Sequence, residues 1–204
     1  MTGSEGLLGI ITEITVKLLP VPERAQVVLA AFDQVETAGQ AVADLIAAGI
    51  LPAGLEMMDN PSIRASEDFV HAGYPTDAAA ILLCEVDGGN EEVSEDIARV
   101  RQRLLDSGAH EVRTAEDDAE RARFWAGRKA AFPAVGRISP DYYCMDGTIP
   151  RKHLPRVLAE IAEYSQESGL RVANVFHAGD GNLHPLILYD ANNPGELELA
   201  EEVG

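Results

Sequence analysis

Three segments of the chain place apolar residues three or four positions apart and then end at a glycine, the pattern of a helix with one buried face. The glycines are Gly49, Gly108 and Gly169, and they are nearly equally spaced. Each segment lies between apolar runs that predict strands, such as VVLAAF before the first helix and LEMMD after it. The repeated order of strand, helix and strand predicts duplicated α+β units, which usually place their helices on one face of an antiparallel sheet.

Further helices are predicted outside these units. The segment AEDDAERARFWAGRKAAF has acidic residues at its start and basic residues towards its end, which suits the helix macrodipole. On this helix Phe124, Arg128 and Phe132 are four residues apart and share a face. A shorter helix is predicted around residues 61–70, and GELELAEEVG predicts the start of an acidic helix. The opening Gly-rich turn runs into a predicted strand with nothing before it to pair with, so both ends resemble cuts through a longer protein.

Charge and composition exclude several classes of function. The chain has 34 acidic and 16 basic residues, and its net charge of -18 repels nucleic-acid phosphates and anionic membrane surfaces. Its apolar stretches are much shorter than the ~20 residues of a membrane helix, and no export signal is recognisable. Cys84 and Cys144 are far apart and form no Cys-x-x-Cys motif. We therefore expect a cytoplasmic protein with two buried thiols.

The segment HAGDGNLH is the first candidate site. Asp180 and Gly181 are a typical pair for a two-residue type I′ turn, which would place His177 directly opposite His184. Directly opposed residues have Cβ atoms ~4.5–5.5 Å apart on one face, so both imidazoles could reach one metal ion at ~2.0–2.1 Å. The same pair could equally be polar surface or packed core, and two ligands are too few for a tight site.

The other candidates are weaker when the residues are considered alone. Arg128 shares a helix face with two aromatic residues, where a cation needs an anion, and a salt bridge to an acidic side chain would satisfy it. The segment GSEGLLG could hold a phosphate with backbone N–H groups, although such turns are common structural features. The remaining histidines, His71, His110 and His153, are isolated and are expected to be ordinary surface or hydrogen-bonded residues.

Three segments together carry a family resemblance that covers essentially the whole chain. TGSEGLLGIITEITVKLLPVPE is similar to the end of the FAD-binding domain in FAD-linked oxidases of the vanillyl-alcohol oxidase type. FWAGRKAAFPAVGRISPDYYCMDGTIPR and NVFHAGDGNLHPLILYD resemble their C-terminal cap domain, in particular that of glycolate oxidase FAD-binding subunits and of D-lactate and D-2-hydroxyglutarate dehydrogenases. The resemblance implies a domain boundary between residues 1–22 and 23–204, and a cap of two ferredoxin-like subdomains.

The resemblance also implies a chemistry and a set of residues. Family members oxidise a small 2-hydroxy acid to the 2-oxo acid by hydride transfer to FAD, while a divalent metal, which could be zinc, manganese or iron, holds the substrate. His177 and His184 fall on the catalytic metal ligands, and Arg128 falls on the arginine that binds the substrate carboxylate. The turn that approaches FAD falls on Gly3, Ser4, Glu5 and Gly6.

The sequence also departs from the family pattern. The third metal ligand is a glutamate in a Gly-Glu-His-Gly motif that does not occur here, and much of the FAD-binding domain is missing. We therefore expect a catalytically inactive fragment that binds FAD weakly or not at all. Cys144 and Leu186 replace a lysine and an asparagine of the 2-hydroxyglutarate dehydrogenases, which favours a small monocarboxylic substrate such as glycolate or lactate.

The resemblance further suggests a multi-subunit complex that includes an iron-sulfur protein. The competing hypothesis is a non-catalytic ferredoxin-like binding or assembly domain in which the histidines are structural. A stand-alone metal-dependent hydrolase would lack a third ligand and an obvious base.

Overall fold

Nine strands and six α-helices form the fold in the computed structural model, which describes residue 1 and residues 3–204. Seven of the strands join into one antiparallel sheet, and the other two, β6 and β8 below, pair with each other. In chain order the elements are β1 (Arg24–Phe32), α1 (Val35–Ala47), β2 (Gly54–Asp59), α2 (Asn60–Val70), β3 (Ala80–Gly88), α3 (Asn90–Asp106), β4 (Glu111–Thr114), α4 (Asp118–Val135), β5 (Asp141–Cys144), β6 (Gly147–Thr148), α5 (Leu154–Ser168), β7 (Val172–Phe176), β8 (Asn182–Leu183), β9 (Pro185–Tyr189) and α6 (Glu196–Val203).

The order of the strands confirms the duplicated α+β architecture. In the seven-stranded sheet the order is β4-β1-β3-β2-β7-β9-β5. The first four strands, with α1 and α3 as crossovers, have the order of a ferredoxin-like unit. In the second half, β5, α5, β7 and β9 repeat the first part of that unit, and the two units join where β2 pairs with β7. The three helix-ending glycines are all at positive φ, as an αL helix stop requires.

Helices cover both faces of the sheet. The buried residues of α1, α3 and α5 belong to one core, as expected for the repeated units, and those of α2 and α4 belong to a second core on the opposite face. Strand β1 supplies alternate residues to the two, with Val28 and Ala30 in the first and Val27 and Leu29 in the second. The sequence predicted helices on one face only. The second layer is needed because the central strands are apolar on both sides.

The predicted strand near the start of the chain is wrong. Residues 9–22 are neither helical nor extended in a sheet, and their apolar side chains, including Ile10, Leu18 and Val21, are exposed. A strand needs a neighbour to satisfy its backbone N–H and C=O groups, and none of the described strands pairs with this segment. Alternating apolar residues therefore did not suffice to form a strand.

The two cysteines differ in their surroundings. Cys84 is buried in the middle of the sheet, as expected, and burial raises the pKa of its thiol to about 12. Cys144 is exposed, contrary to the expectation, because it lies at the end of the edge strand β5. Among the described helices, none has the length and apolarity that crossing a membrane requires.

A buried carboxylate joins the two ferredoxin-like units. Asp59 ends β2 and caps α2, where its Oδ1 accepts a hydrogen bond from the Ser62 N–H at 3.3 Å. Its Oδ2 accepts two more at 2.8 Å, from the backbone N–H and the side-chain amide of Asn174 on β7. Burial raises the pKa of Asp59 from 3.8 to about 6, because the loss of hydration outweighs these hydrogen bonds.

This shift predicts a specific dependence of stability on pH. The folded state binds the Asp59 proton more tightly than the unfolded state does. The contribution of this proton to the free energy of unfolding is therefore full below pH 3.8 and is lost as the pH rises through about 6. The free energy of unfolding of the wild type, measured in urea, should therefore fall by about 2 kcal/mol relative to that of Asp59→Asn between pH 4 and pH 7. If the free energies of unfolding of the two proteins changed with pH in the same way, the pKa of Asp59 would not be raised in the folded state.

Candidate functional site

Three neighbouring strands bring polar side chains together on the sheet face that α4 covers. In the register that pairs Met58 with Val175, Glu56 of β2 lies opposite His177, which directly follows β7. His177 itself forms a bridge with Asn182, so that His184, two residues later, is its diagonal neighbour on the same face. The two imidazole rings are 5.3 Å apart between centroids and nearly perpendicular, at 88°.

The predicted hairpin register is wrong, although the proximity of the histidines is correct. The residue opposite His177 is Asn182, because the loop contains the four residues 178–181. A type I′ turn needs positive φ at both central residues, and of the predicted pair Gly181 has it while Asp180 does not. The two rings still share a face because side chains two residues apart along a strand point to the same side.

Glu56 is at the centre of the cluster. Its carboxylate oxygens both lie 3.0 Å from Nδ1 of His177, and its Oε2 accepts a hydrogen bond from Nε of Arg128 at 2.9 Å. Nη2 of Arg128 is also 2.7 Å from Oε2, without the alignment of a second hydrogen bond. The side chains of Glu56 and Arg128 are only 13% and 9% exposed, so this ion pair is largely shielded from water.

His184 has a similar environment on the other side of the cluster. Its Nδ1 lies 3.6 Å from Oδ1 of Asp146, an oxygen that also accepts a hydrogen bond from the Asn182 amide at 2.7 Å. The ring packs against Phe132 of α4, with centroids 6.1 Å apart. Its side chain is 16% exposed, against 47% for His177. Each imidazole thus turns Nδ1 towards a carboxylate, as metal-binding histidines commonly do.

Helix α4 is anchored to the sheet by two acidic residues that the sequence reasoning missed. Arg121 and Trp125 both donate hydrogen bonds to Glu85 of β3, and Arg128, one turn further along, reaches Glu56. The available signal was a glutamate inside each of the apolar strands GLEMMD and AILLCEVDG. Such a charge is costly in a core unless it is paired, so it indicates a specific partner.

The predicted site residues divide into two groups. His177, His184 and Arg128 meet in the cluster around Glu56, whereas the turn at Gly3, Ser4, Glu5 and Gly6 lies in the N-terminal segment before β1. That turn is largely exposed, and its Ser4 carbonyl accepts a hydrogen bond from Leu7 at 2.8 Å. Within residues 1 and 3–204 no group of three His, Cys, Asp or Glu side chains is arranged to hold a metal. The metal and FAD roles stay predictions.

Comparison with known proteins gives matches along nearly the whole chain. The family model for FAD linked oxidases, C-terminal domain, matches residues 21–204. Glycolate oxidase subunit GlcD of Escherichia coli K12 is 70% identical over 203 residues, which are 100% of this chain and 41% of that protein. D-lactate dehydrogenase of Anaerostipes hadrus is 32% identical over 210 residues, 100% of this chain and 44% of that protein.

A solved structure supports the fold independently. p-Cresol methylhydroxylase with substrate bound aligns with a TM-score of 0.66 at 14% identity, over 91% of this chain and 42% of that one. At this identity the likeness concerns the fold alone. The chain spans less than half the length of these proteins, between 41% and 44%.

The loop between the histidines depends on Gly181. This residue has φ of 73°, its carbonyl accepts a hydrogen bond from Ile149 N–H at 2.9 Å, and an added Cβ would overlap the Ile149 carbonyl oxygen. Gly169 has the same φ but open space where a Cβ would lie, so it is a matched control. We expect Gly169→Ala to cost about 1–2 kcal/mol of folding stability.

Gly181→Ala should cost a further ~1–3 kcal/mol in urea unfolding, because strain from the overlap adds to the unfavourable φ. Equal losses in the two variants would mean that the loop is free to move away from Ile149.

Proposed function

The chain belongs to the C-terminal domain family of FAD-linked oxidases, and on this premise we propose that it forms the substrate-binding cap of a flavoprotein that oxidises a small 2-hydroxy acid to the 2-oxo acid. The observation that carries the proposal is that His177 and Arg128 meet at one largely shielded carboxylate, with His184 directly beside His177. This combines a pair of metal-ligand side chains with a cation for a substrate carboxylate. The glycolate oxidase and D-lactate dehydrogenase relatives support this class of substrate.

The two histidines suit a divalent metal such as zinc, manganese or iron. Both rings turn Nδ1 towards a carboxylate, so Nε2 is the nitrogen left to bind a metal. When bound, the metal would act as a Lewis acid on the substrate hydroxyl. Two imidazoles are too few for a tight site, and the described residues offer no third ligand grouped with them, so we propose that at least one further protein ligand comes from outside these residues.

Arg128 is the proposed partner of the substrate carboxylate. Nε and Nη2 of its guanidinium face Glu56, which leaves Nη1 for a second anion. Because the side chain is largely shielded from water, an anion that reaches it would interact more strongly than at an exposed site. FAD, bound mainly by the separate FAD-binding domain, would accept the hydride, and we propose that the turn at residues 3–6 approaches it.

The residues around the cluster favour a small monocarboxylic acid. Leu186 is fully buried two residues after His184, and its cross-strand partner is Cys144. Neither side chain can pair with a second carboxylate, so glycolate or D-lactate fits better than 2-hydroxyglutarate. By analogy with the glycolate oxidase subunit, we further propose assembly with other subunits, including an iron-sulfur protein. Two free thiols agree with a cytoplasmic location.

Flavin reduction in the flavoprotein that contains this chain tests the proposal. Anaerobic mixing with glycolate or D-lactate should bleach the flavin absorbance, and His177→Ala or His184→Ala should slow bleaching at least ~100-fold, because loss of a ligand removes the metal. Arg128→Lys should mainly raise the substrate concentration needed for half-maximal rate.

The control is His110→Ala, which removes an exposed imidazole far from the cluster in the sequence and should leave the rate unchanged. Unchanged bleaching in both His177→Ala and His184→Ala would instead assign the histidines a structural role, as in an assembly domain.

A further inference from the structure

We propose that Glu56 is a positioning residue that fixes the tautomer of His177 and the orientation of Arg128 with a single carboxylate. Its importance for catalysis rests on the function proposed above, but the structural claim concerns this chain alone. Glu56 reaches His177 across 121 positions of sequence and Arg128 across 72. It is therefore the residue through which the proposed metal side and the proposed anion side of the site are joined.

The tautomer follows from the chemistry of the contact. An ionised carboxylate can only accept hydrogen bonds, and a neutral imidazole has one donor and one acceptor nitrogen. Because Nδ1 of His177 lies 3.0 Å from both oxygens of Glu56, Nδ1 must be the nitrogen that carries the proton. The lone pair is then on Nε2, which is the form that can bind a metal ion or accept a proton.

Glu56 differs in this respect from Glu85, which otherwise resembles it. Both side chains point to the same face of the sheet, both are 13% exposed, and both pair with an arginine of α4. Glu85 receives Nε and Nη2 of Arg121 at 2.7 and 2.8 Å, together with the indole of Trp125, so that its donors all come from α4. Anchoring the helix thus requires only α4 donors, and the extra contact of Glu56 with His177 is what indicates a role in the site.

The arrangement also couples the two functional side chains. Arg128 compensates the charge of Glu56, so the carboxylate can stay in a largely buried position beside Met58 and Val175. The Glu56 oxygens are then shared between the Arg128 guanidinium and the His177 imidazole. A movement of either side chain therefore changes the hydrogen bonding of the other. The separation between the proposed carboxylate-binding cation and the proposed metal ligand is thereby set by one residue.

Glu56→Gln gives a sharp test, because glutamine has one acceptor atom where glutamate has two. The Arg128 cation is expected to take the amide oxygen, which leaves the amide NH2 facing Nδ1 of His177. Nδ1 would then have to accept, and the proton would move to Nε2. The matched control, Glu85→Gln, removes a comparable charge next to α4 without touching His177.

Long-range ¹H–¹⁵N correlation spectra of the histidine rings measure the tautomer in the metal-free chain at a pH where they are neutral. We expect the Nδ1–H form of His177 in the wild type and in Glu85→Gln, and the Nε2–H form in Glu56→Gln. A wild-type spectrum dominated by Nε2–H, or a Glu56→Gln spectrum like that of the wild type, would overturn the proposal. The wild-type spectrum tests the predicted tautomer of His177 even if a variant does not fold.

Titration of the metal-free flavoprotein that contains this chain with Zn²⁺ alone separates this proposal from the proposed function. Zn²⁺ affinity should fall about 10–100-fold in Glu56→Gln and stay unchanged in Glu85→Gln, if a correctly oriented imidazole is required. Loss of Zn²⁺ binding in His177→Ala with no effect of Glu56→Gln would support the metal site but contradict the role of Glu56. If the spectra show the expected tautomers but neither His177→Ala nor His184→Ala changes Zn²⁺ binding, the positioning role of Glu56 would be supported and the metal site contradicted.

Discussion

Burial of both faces of the sheet is the constraint on which the rest of the structure depends. The central strands are apolar on each side, so one layer of helices covers the face shared by α1, α3 and α5, and a second layer, α2 and α4, covers the other. Charged side chains can then point into a core only where they find a partner of opposite charge. Glu56 and Glu85 are such charges, and both find arginines on α4.

The same constraint places the candidate site. The pairing of β2 with β7 joins the two ferredoxin-like units and brings Glu56 opposite His177, while the register between β7 and β9 brings His184 to the same face. Arg128 reaches this point because α4 must pack across it. Each unit thus contributes part of the cluster, and the helix between them contributes the cation. The candidate site therefore lies at the junction of the two units of the duplicated fold.

Local patterns predicted most elements of the fold, and nonlocal contacts explain the rest. The helices before Gly49, Gly108 and Gly169 were predictable because apolar spacing and a positive-φ stop are properties of short segments. The loop after His177 was not, because Ile149 and Arg151, both distant in sequence, hydrogen-bond to its carbonyl groups and favour four loop residues over two. The importance of Glu56 was hidden for the same reason. The functional roles of the histidines and Arg128 came from the family resemblance, and only their proximity is visible in the geometry.

The central claim is that His177 and His184 present their Nε2 atoms to one metal ion beside Arg128. Crystals of the flavoprotein that contains this chain, grown with Zn²⁺ and measured at the zinc absorption edge, test it directly. The account predicts one anomalous peak ~2.0–2.1 Å from Nε2 of both rings. Zinc bound only elsewhere on the acidic surface, with either Nε2 hydrogen-bonded to another protein group, would contradict it.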